Sequence, residues 1–239
     1  MNTPIIECNS LSKYYSSKNG IIKAVDNVNL KIYRNEFILI KGRSGAGKST
    51  LINLMCGLEK PSKGSIVVDK THLEKVSDRV LSGLLLEKIG IIFQGFNLLP
   101  TYTVYENIEI GLDPKKNNKE SIYALLEKLD LKEKINALPP ELSIGQQQRV
   151  AVARTLIKKP SIIFADEPTG AVDEITAHEI IQLILSLKKE QDATIVITSH
   201  RSDNWNMADR VLVMNEGKIL INNELHHGRH ELRIINSGL

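Results

Sequence analysis

The segment from Gly42 to Ser49 constrains the chain more than any other stretch of its sequence. It reads Gly-Arg-Ser-Gly-Ala-Gly-Lys-Ser, follows the apolar run Phe37–Ile40, and precedes a helical pattern that starts near Lys48. A buried strand, a glycine-rich loop and a helix in this order form a phosphate-binding loop. The glycines let backbone N–H groups converge on one point, and the helix N-terminus adds partial positive charge there. The segment therefore predicts a site for nucleotide phosphates.

Short runs rich in Ile and Val alternate with helical patterns along the rest of the chain. The apolar runs are nearly continuous, as strands are when both faces of a parallel sheet are covered. They are Phe37–Ile40, Ile89–Phe93, Ile162–Ala165 and Thr194–Thr198, and the helical patterns cover Lys48–Cys56, Lys119–Leu129, Gln146–Ile157 and Ala177–Lys189. This order predicts a doubly wound α/β core with a parallel sheet.

Two regions depart from this alternation. Ala24–Ile32 alternates apolar and polar residues, a turn follows at Arg34–Glu36, and Gly64–Asp69 resembles another short strand. These segments predict a small antiparallel β layer at the N-terminus. The stretch 95–160 is mostly helical and interrupts the series of strands. We therefore expect a helical subdomain inserted within one domain of residues 1–239.

Composition and charge limit the classes of protein to which the chain can belong. The 239 residues suit one large α/β domain, and the net charge of +3 gives no reason to expect nucleic acid as a partner. Cys8 and Cys56 lie far apart and predict two reduced, buried thiols. We find no signal peptide and no apolar run of membrane-spanning length, so any membrane role is expected to go through a partner. The polar stretch Asn222–Leu239, with His226, His227 and His230, predicts a solvated tail rather than a metal site.

A second motif supplies acidic groups. Ser161–Ala165 is followed by Asp166 and Glu167, so two carboxylates stand at the carboxyl end of a predicted strand. Asp166 suits an outer-shell role toward Mg²⁺, and Glu167 suits a general base for the attacking water. Two solvated loop carboxylates are the alternative.

The phosphate loop, in which Lys48 would neutralise phosphates, does not by itself separate a transporter ATPase from a GTPase or a small-molecule kinase.

The segment Leu142–Arg149 separates these classes. It reads Leu-Ser-Ile-Gly-Gln-Gln-Gln-Arg, and Ser143 with Gln146 three residues later matches a capping box at a helix start. An ordinary capped helix is the alternative reading. The segment resembles the L-S-G-G-Q signature of ATP-binding cassette (ABC) proteins, which GTPases and kinases lack.

Further positions match the ABC pattern in the family's order. Gln94 follows the strand after the phosphate loop, Asp173 follows the acidic motif, and His200 ends the next strand. An aromatic residue near the N-terminus would stack on adenine, and Tyr15 matches that position with Tyr14 as its rival. The matches cover the chain from about residue 5 to about residue 220.

The resemblance implies how ATP and Mg²⁺ are held. One subunit would supply the phosphate loop and a second the signature helix, so that two ATP molecules lie in a homodimer. Gln94 would sense the γ-phosphate, Asp173 would link the two sites, and His200 would steady the attacking water. The implied ATP-contacting residues are Tyr15, Gly42, Arg43, Ser44, Gly45, Ala46, Gly47, Lys48, Ser49, Thr50, Gln94, Ser143, Gly145, Gln146 and Asp173. Ser49, Gln94 and Asp166 would serve Mg²⁺, and the catalytic residues would be Glu167, His200, Lys48 and Gln94.

A finer resemblance concerns the partner. Phe93–Pro100, Thr103–Asn107 and Ala165–Gly170 look like the MacB/LolD branch, whose members drive a separate permease with a large extracytoplasmic domain. The chain would then bind peripherally at the cytoplasmic face of the membrane through that permease. The hydrophobic residues Phe96, Leu98 and Leu99 would line a groove for a permease helix, with core packing as the alternative.

Other functions stay open at this point. The same ATPase cycle could send a mechanical signal to a permease-like partner, as in the FtsE division regulator or in peptide sensing. A soluble ABC ATPase and a phosphate-loop kinase fit less well, because the chain lacks the coiled coils or zinc cysteines of the first and carries the signature that the second lacks. Two residues depart from the family: Ile144 replaces a signature glycine, where it would crowd the loop and slow hydrolysis, and Arg201 follows the histidine.

Overall fold

The computed structural model describes residues 3–18, 20–112, 119–200, 207–226 and 229–234. In chain order its strands are β1 (Ile6–Ser17), β2 (Gly20–Ile32), β3 (Phe37–Lys41), β4 (Lys63–Val68), β5 (Thr71–His72), β6 (Ile89–Ile92), β7 (Ile162–Asp166), β8 (Thr194–Ser199), β9 (Arg210–Asn215), β10 (Lys218–His226) and β11 (Arg229–Ile234). The helices are α1 (Lys48–Met55), α2 (Asp78–Glu87), α3 (Val104–Glu109), α4 (Lys119–Lys128), α5 (Ile144–Leu156) and α6 (Glu174–Gln191), with short 3-10 helices at Lys132–Lys134 and Pro139–Glu141.

The chain forms two compact units. Residues 1–82 together with 194–239 form the first unit, and residues 83–193 form the second. The helices α3, α4 and α5 fall within the stretch 95–160 that the sequence marks as an inserted subdomain. The limits of that subdomain stay a prediction.

The first unit contains the antiparallel layer that the N-terminal pattern predicts. Its four strands run in the order β2-β1-β4-β5, and each neighbouring pair is antiparallel. The sequence pattern did not reveal β1, because its pairing with β2 shifts register between Cys8 and Leu11 and again before Tyr14. These irregularities, with Ser10 at a positive φ of 47°, break the alternation on which a strand prediction rests.

The remaining strands of the first unit follow the order β11-β10-β9-β3-β8. β3 is parallel to both of its neighbours, and all four residues of Phe37–Ile40 are fully buried, as the continuous apolar run predicts. β10 and β11 form an antiparallel hairpin that extends this sheet from β9. The polar stretch Asn222–Leu239 thus contains strand residues at 222–226 and 229–234, which the sequence did not predict, and its solvation stays a prediction. The unpaired edge of β9 offers backbone groups that these polar residues can satisfy as strands.

The second unit pairs β6 with β7 in parallel and buries an aliphatic cluster among its helices. Ile89 stands opposite Ile162 in the strand pair, and Ile162 to Ala165 are fully buried. The helical cluster consists of Val104, Ile108, Ile122, Leu126, Leu129, Leu131, Leu142, Val150 and Ala153. The predicted fold class is confirmed, and the limits of the elements that were predicted agree with the structure to within about four residues.

Two smaller expectations can also be compared with the structure. Cys8 and Cys56 are both free and buried, and burial, with a smaller contribution from Glu7, raises the pKa of the Cys8 thiol to about 12. Within the described residues, no helix combines the length and the apolar character needed to cross a membrane.

Candidate functional site

The phosphate-binding loop joins β3 to α1 in the first unit, and its glycines have conformational reasons. Gly47 has a φ of 99°, and a Cβ at that position would run into the carbonyl oxygen of Ala24. Gly45 has a φ of 78°, and a Cβ there would have no heavy atom within 4 Å. The loop therefore combines a tight left-handed turn with open space above Gly45, as phosphate oxygens require.

Lys48 is held beneath this loop. The side chain is only 4% exposed, and its Nζ donates hydrogen bonds to the carbonyl oxygens of Gly42 at 2.9 Å and Arg43 at 3.2 Å. The N-cap of α1 is Gly47, which has no side chain to occupy the first amides of the helix. A buried ammonium and the first amides of α1 thus meet at the loop, and both favour an anion.

The remaining loop residues are accessible. Arg43, Ser44 and Ser49 are exposed, Ala46 is buried, and Thr50 is half-buried in the first turn of α1. Because Ser49 is exposed, its hydroxyl is available to a cation that binds together with the phosphates.

Tyr15 lies beside helix α1, whereas Tyr14 does not. The Tyr15 hydroxyl donates to Glu59 Oε2 at 2.5 Å and is hydrogen-bonded to Thr50. Partial burial, together with the Glu59 carboxylate, raises the pKa of Tyr15 above its usual value. Tyr14 instead donates to Asp26 Oδ1 at 2.8 Å, because successive strand residues point to opposite faces.

The ring of Tyr15 also has a cation on one side. Lys13 Nζ lies 5.3 Å from the ring centroid and 3.3 Å from Glu59 Oε2. The ring is therefore fixed at its hydroxyl and on one face, while the side chain remains 36% exposed. Such a ring can stack on a planar base.

In the second unit, Gln94 and Glu167 meet beyond the carboxyl ends of two paired strands. Gln94 follows β6, Glu167 follows β7, and Gln94 Nε2 donates to Glu167 Oε2 at 3.4 Å. Glu167 has a φ of 46°, an unusual value for a residue with a side chain. Gly170 borders the pair, since a Cβ there would lie 3.7 Å from Glu167 Oε2 and 3.8 Å from Gln94 Nε2. An amide and a carboxylate thus face one point at a strand end, where ligands bind in such sheets.

Asp166 ends β7 and is half-buried. Its carboxylate and the side-chain oxygen of Gln94 offer oxygen ligands, the kind that Mg²⁺ prefers. Among the described residues, no group of three or more His, Cys, Asp or Glu could hold a metal by itself. The fit is therefore to Mg²⁺ that arrives with phosphates rather than to a protein-only metal cage.

The signature segment begins α5 as a complete capping box. The Ser143 hydroxyl accepts from the Gln146 amide at 3.3 Å, and the Gln146 side chain accepts from the Ser143 amide at 3.0 Å. Ile144 is 54% exposed, so its side chain leaves both cap hydrogen bonds intact. The amino end of α5 is therefore ordered and accessible.

Asp173 caps the next helix directly beside this segment. Its carboxylate accepts from the Thr176 amide at 3.0 Å and from the Thr176 hydroxyl at 2.8 Å. A Cβ at Gly145 would lie 3.1 Å from Thr176 Cγ2, so the two helix starts are in close contact. The sequence did not single out Thr176, because nothing local to it suggests that it meets Gly145.

Two polar side chains, the half-buried Arg154 and the fully buried Asn107, hold the loop that follows Gln94, and sequence reasoning missed both. Arg154 Nη1 and Nη2 donate to the carbonyl oxygens of Asn97 at 2.7 Å and Phe96 at 2.8 Å. Asn107, which is fully buried, exchanges hydrogen bonds with the backbone of Leu99 and also donates to the carbonyl oxygens of Tyr102 and Thr103. The signal that could have found Asn107 is its place in an otherwise apolar helix face.

His200 directly follows β8 in the first unit and is exposed. Tyr15, the phosphate loop and His200 thus belong to the first unit, whereas Gln94, the signature residues, the acidic pair and Asp173 belong to the second. Arg201 and His227 lie outside the described residues.

Known proteins match the chain over most of its length. The ABC transporter family profile matches residues 25–170. The chain is 39% identical over 226 residues to the methionine import ATP-binding protein MetN of Coxiella burnetii, covering 92% of this chain and 64% of MetN. It is 39% identical over 225 residues to the lipoprotein-releasing system ATP-binding protein LolD of Buchnera aphidicola, covering 92% of this chain and 98% of LolD.

Among solved structures, the chain resembles the dimeric, ADP- and Pi-bound post-hydrolysis state of the ATP-binding cassette MJ0796. The TM-score is 0.87 at 34% sequence identity, and the match covers 93% of this chain and 99% of MJ0796. The chain spans less than two thirds of the length of MetN and 47% of two further curated relatives.

A glycine loop over a buried lysine, an acidic strand end and a capped signature helix define an ATP-binding cassette, a class of ATPase that uses ATP with Mg²⁺. The family match extends over more than half of the sequence. The chain belongs to the ABC transporter family, and its relatives include LolD and MJ0796.

Proposed function

We propose that the chain is the ATP-hydrolysing subunit of an ABC transporter, and that two copies close around two ATP molecules to drive a separate MacB/LolD-type permease. The observation that carries this proposal is the contact between Gln94 and Glu167 at the carboxyl ends of β6 and β7. This pair provides a base and an orienting amide where a nucleotide would be attacked.

The first unit would bind the nucleotide. Tyr15 stacks on the adenine ring, and the backbone of Gly42–Thr50 receives the phosphates. The Lys48 ammonium exchanges its loop carbonyls for β- and γ-phosphate oxygens, which are stronger acceptors for a buried charge. Ser49, Gln94 and Asp166 would hold Mg²⁺, which would neutralise charge on the phosphates.

The second unit would support hydrolysis. Glu167 accepts a proton from the attacking water, whose oxygen bonds to the γ-phosphorus while the bond to the bridging oxygen of ADP breaks. Gln94 orients Glu167, and His200, which belongs to the first unit, would steady the γ-phosphate. The Glu167 carboxylate would face the reacting phosphate, and its left-handed backbone supports this because the chain leaves the strand direction there.

A second copy would complete each site. Ser143 and Gly145 present the amino end of α5, whose positive dipole end favours the γ-phosphate of the partner's ATP. Asp173 links the two sites through the contact of Thr176 with Gly145. Loss of the γ-phosphate then removes the shared ligand and opens the pair.

The test of this proposal is Glu167→Gln, which removes the base and keeps the shape. We expect ATP binding to persist, turnover to fall by about 10²- to 10³-fold, and ATP to convert the protein to dimer. ATPase assays, nucleotide titration and size-exclusion chromatography with light scattering measure these three quantities.

The matched control is Glu179→Gln, which changes an exposed carboxylate on α6. It should leave turnover and dimerisation unchanged. Undiminished turnover in Glu167→Gln would rule out the general-base role.

Fewer features of the chain support the MacB/LolD-type permease as the partner. Phe93–Pro100 carries the branch resemblance, and Leu99 is 37% exposed there, whereas Leu98 packs against the helical cluster. A groove for a permease helix would thus use Leu99 and Phe96 more than Leu98, with the cassette at the cytoplasmic membrane face. Co-purification with a permease that carries a large extracytoplasmic domain supports this partner, and recovery of a methionine-import permease contradicts it. No structural observation favours a purely sensing role.

A further inference from the structure

The turn after Gln94 has an unusual backbone. Phe96 and Asn97 both have positive φ values, 57° and 50°, although neither is glycine. The Phe96 amide donates to Phe93 O at 3.4 Å, and the Asn97 amide donates to Gly95 O at 2.5 Å, so the chain reverses tightly just past Gln94. Two consecutive left-handed residues with side chains are unfavourable and need support from elsewhere in the structure.

Arg154 provides that support from the last turn of α5. Its two terminal nitrogens donate to the carbonyl oxygens of the two strained residues, at 2.7 and 2.8 Å. The planar guanidinium fixes both oxygens in one plane, which a single ammonium cannot do. Partial burial lowers the pKa of Arg154, so a desolvation cost accompanies these charge-assisted hydrogen bonds.

The other end of α5 is the signature segment. About three helical turns separate Ser143 from Arg154, and Val150 to Ala153 are buried in between. Asn107 fixes the later part of the same loop, from Leu99 to Thr103, to α3. The strained turn between Gln94 and Leu99 is therefore held from α5.

We propose that Arg154 is a positioning residue that couples the signature end of α5 to Gln94. When α5 shifts as a rigid rod, the guanidinium carries the Phe96–Asn97 turn with it and changes the distance from Gln94 to Glu167. The inference rests on the proposed function, because it assigns the coupling within that same site. Arg154 itself touches neither the nucleotide nor the reacting water.

The chain offers a matched control in Lys158. It follows α5, is half-buried, and its Nζ donates to the carbonyl oxygens of Leu85 and Ile89 at 2.6 Å each. Like Arg154 it is a half-buried cation that holds two carbonyls, but these lie in α2 and at the start of β6 rather than in the turn after Gln94. Lys158→Met should cost folding stability without moving the Gln94 turn.

The experiment compares Arg154→Met, Arg154→Lys and Lys158→Met as full-length protein in steady-state ATPase assays. We expect Arg154→Met to lower kcat about tenfold with KM for ATP within about twofold, and Arg154→Lys to recover part of the loss. Hydrogen exchange of the peptide 93–99 should speed up in Arg154→Met and stay unchanged in Lys158→Met.

Different results would contradict the coupling role of Arg154 and the proposed function. Equal kcat losses in Arg154→Met and Lys158→Met at similar Tm would overturn the coupling role, as would a raised KM with unchanged kcat. If Arg154→Met does not fold, Arg154→Lys decides by the same kcat and exchange criteria. Absence of ATPase activity in the unsubstituted chain would contradict the proposed function instead.

Discussion

Glu167 adopts a left-handed backbone conformation that carboxylate residues rarely occupy. With a φ of 46°, it breaks the direction of β7 immediately after Asp166, and the Gly170 amide donates to its carbonyl oxygen at 3.0 Å. Such strain persists where the surroundings fix it, and it is common at active sites. The conformation separates two neighbouring carboxylates, so that each can serve a different partner.

Ile144 is the residue in which this chain departs most visibly from the family signature. It is 54% exposed at the amino end of α5, and in the proposed closure it would face the second copy. Ile144→Gly should leave nucleotide binding by the monomer unchanged and raise turnover, and a tenfold rise would correspond to about 1.4 kcal/mol of relieved crowding. Steady-state ATPase assays over a range of protein concentrations measure the effect.

Ile110→Ala is a suitable control for that substitution, because Ile110 is 52% exposed at the end of α3. Its turnover should match the unsubstituted protein. Identical turnover in Ile144→Gly would mean that the departure from glycine has no effect on closure.

At the scale of elements, the helices that border the site depend on side chains at their first residues. Ser143 caps α5, Asp173 caps α6 and Thr103 caps α3, and each satisfies an amide that the helix itself cannot. α1 is different, since Gly47 leaves its first amides to a ligand. The amino end of α1 thus stays open to an anion, whereas those of α3, α5 and α6 are each closed by a side chain.

The cap at Asp173 predicts a pH effect. Hydrogen bonds from the backbone and side chain of Thr176 lower the pKa of Asp173 below its ordinary value of about 3.9. Because the folded pKa is the lower one, the stabilisation is complete above the ordinary value and is lost as the pH falls through the folded value. Asp173→Ala should therefore lower Tm by about 2–4 °C at pH 7, and the difference should shrink below about pH 4.

Differential scanning fluorimetry from pH 7 down to the acid limit of folding measures this difference. Glu179→Ala, at an exposed position within α6, should show no comparable pH-dependent gap. A gap for Asp173→Ala that stays constant with pH would contradict the ionised cap.

Some of these elements could be predicted from the sequence, and others could not. Phe37–Ile40 and Ile162–Ala165 were predictable because burial on both faces leaves a continuous apolar run. β1 was missed because bulges disturb its alternation, and the hairpin of β10 and β11 because its sequence is polar. Motif spacing located Gln94, Glu167 and Ser143, but not Arg154, since its partners lie far away in sequence and are backbone atoms without a sequence signature.

On the scale of the first unit, Arg210 joins elements from distant parts of the chain. Its Nη1 donates to Lys31 O at 2.9 Å and to Glu36 Oε2 at 3.1 Å, and the same carboxylate accepts from the Tyr33 amide. The start of β9 is thereby tied to the end of β2 and to the turn before β3. This cluster holds the antiparallel layer against the parallel strands of the same unit.

Arg210→Met should lower the free energy of unfolding by about 3 kcal/mol, because it leaves a carboxylate and a carbonyl without their buried partner. Arg34→Met is the control: Arg34 lies 2.7 Å from Asp69, but its side chain is 60% exposed, against 9% for Arg210. Solvent screens that pair, so its loss should cost at most about 1 kcal/mol. Urea denaturation followed by circular dichroism compares the two, and equal losses would contradict the importance of burial.

The division of the chain into two units has a consequence for the order in which the units fold during synthesis. β3 pairs with β8 and β9, and Phe37 stands opposite Ile195, so the central strand of the first unit waits for a segment made much later. Residues 83–193 form a continuous stretch and can collapse while that strand is still incomplete. On the ribosome, the half that carries Glu167 and the signature helix would fold before the half that carries the phosphate loop. A nascent chain would therefore acquire the carboxylate proposed as its general base before it can hold a nucleotide.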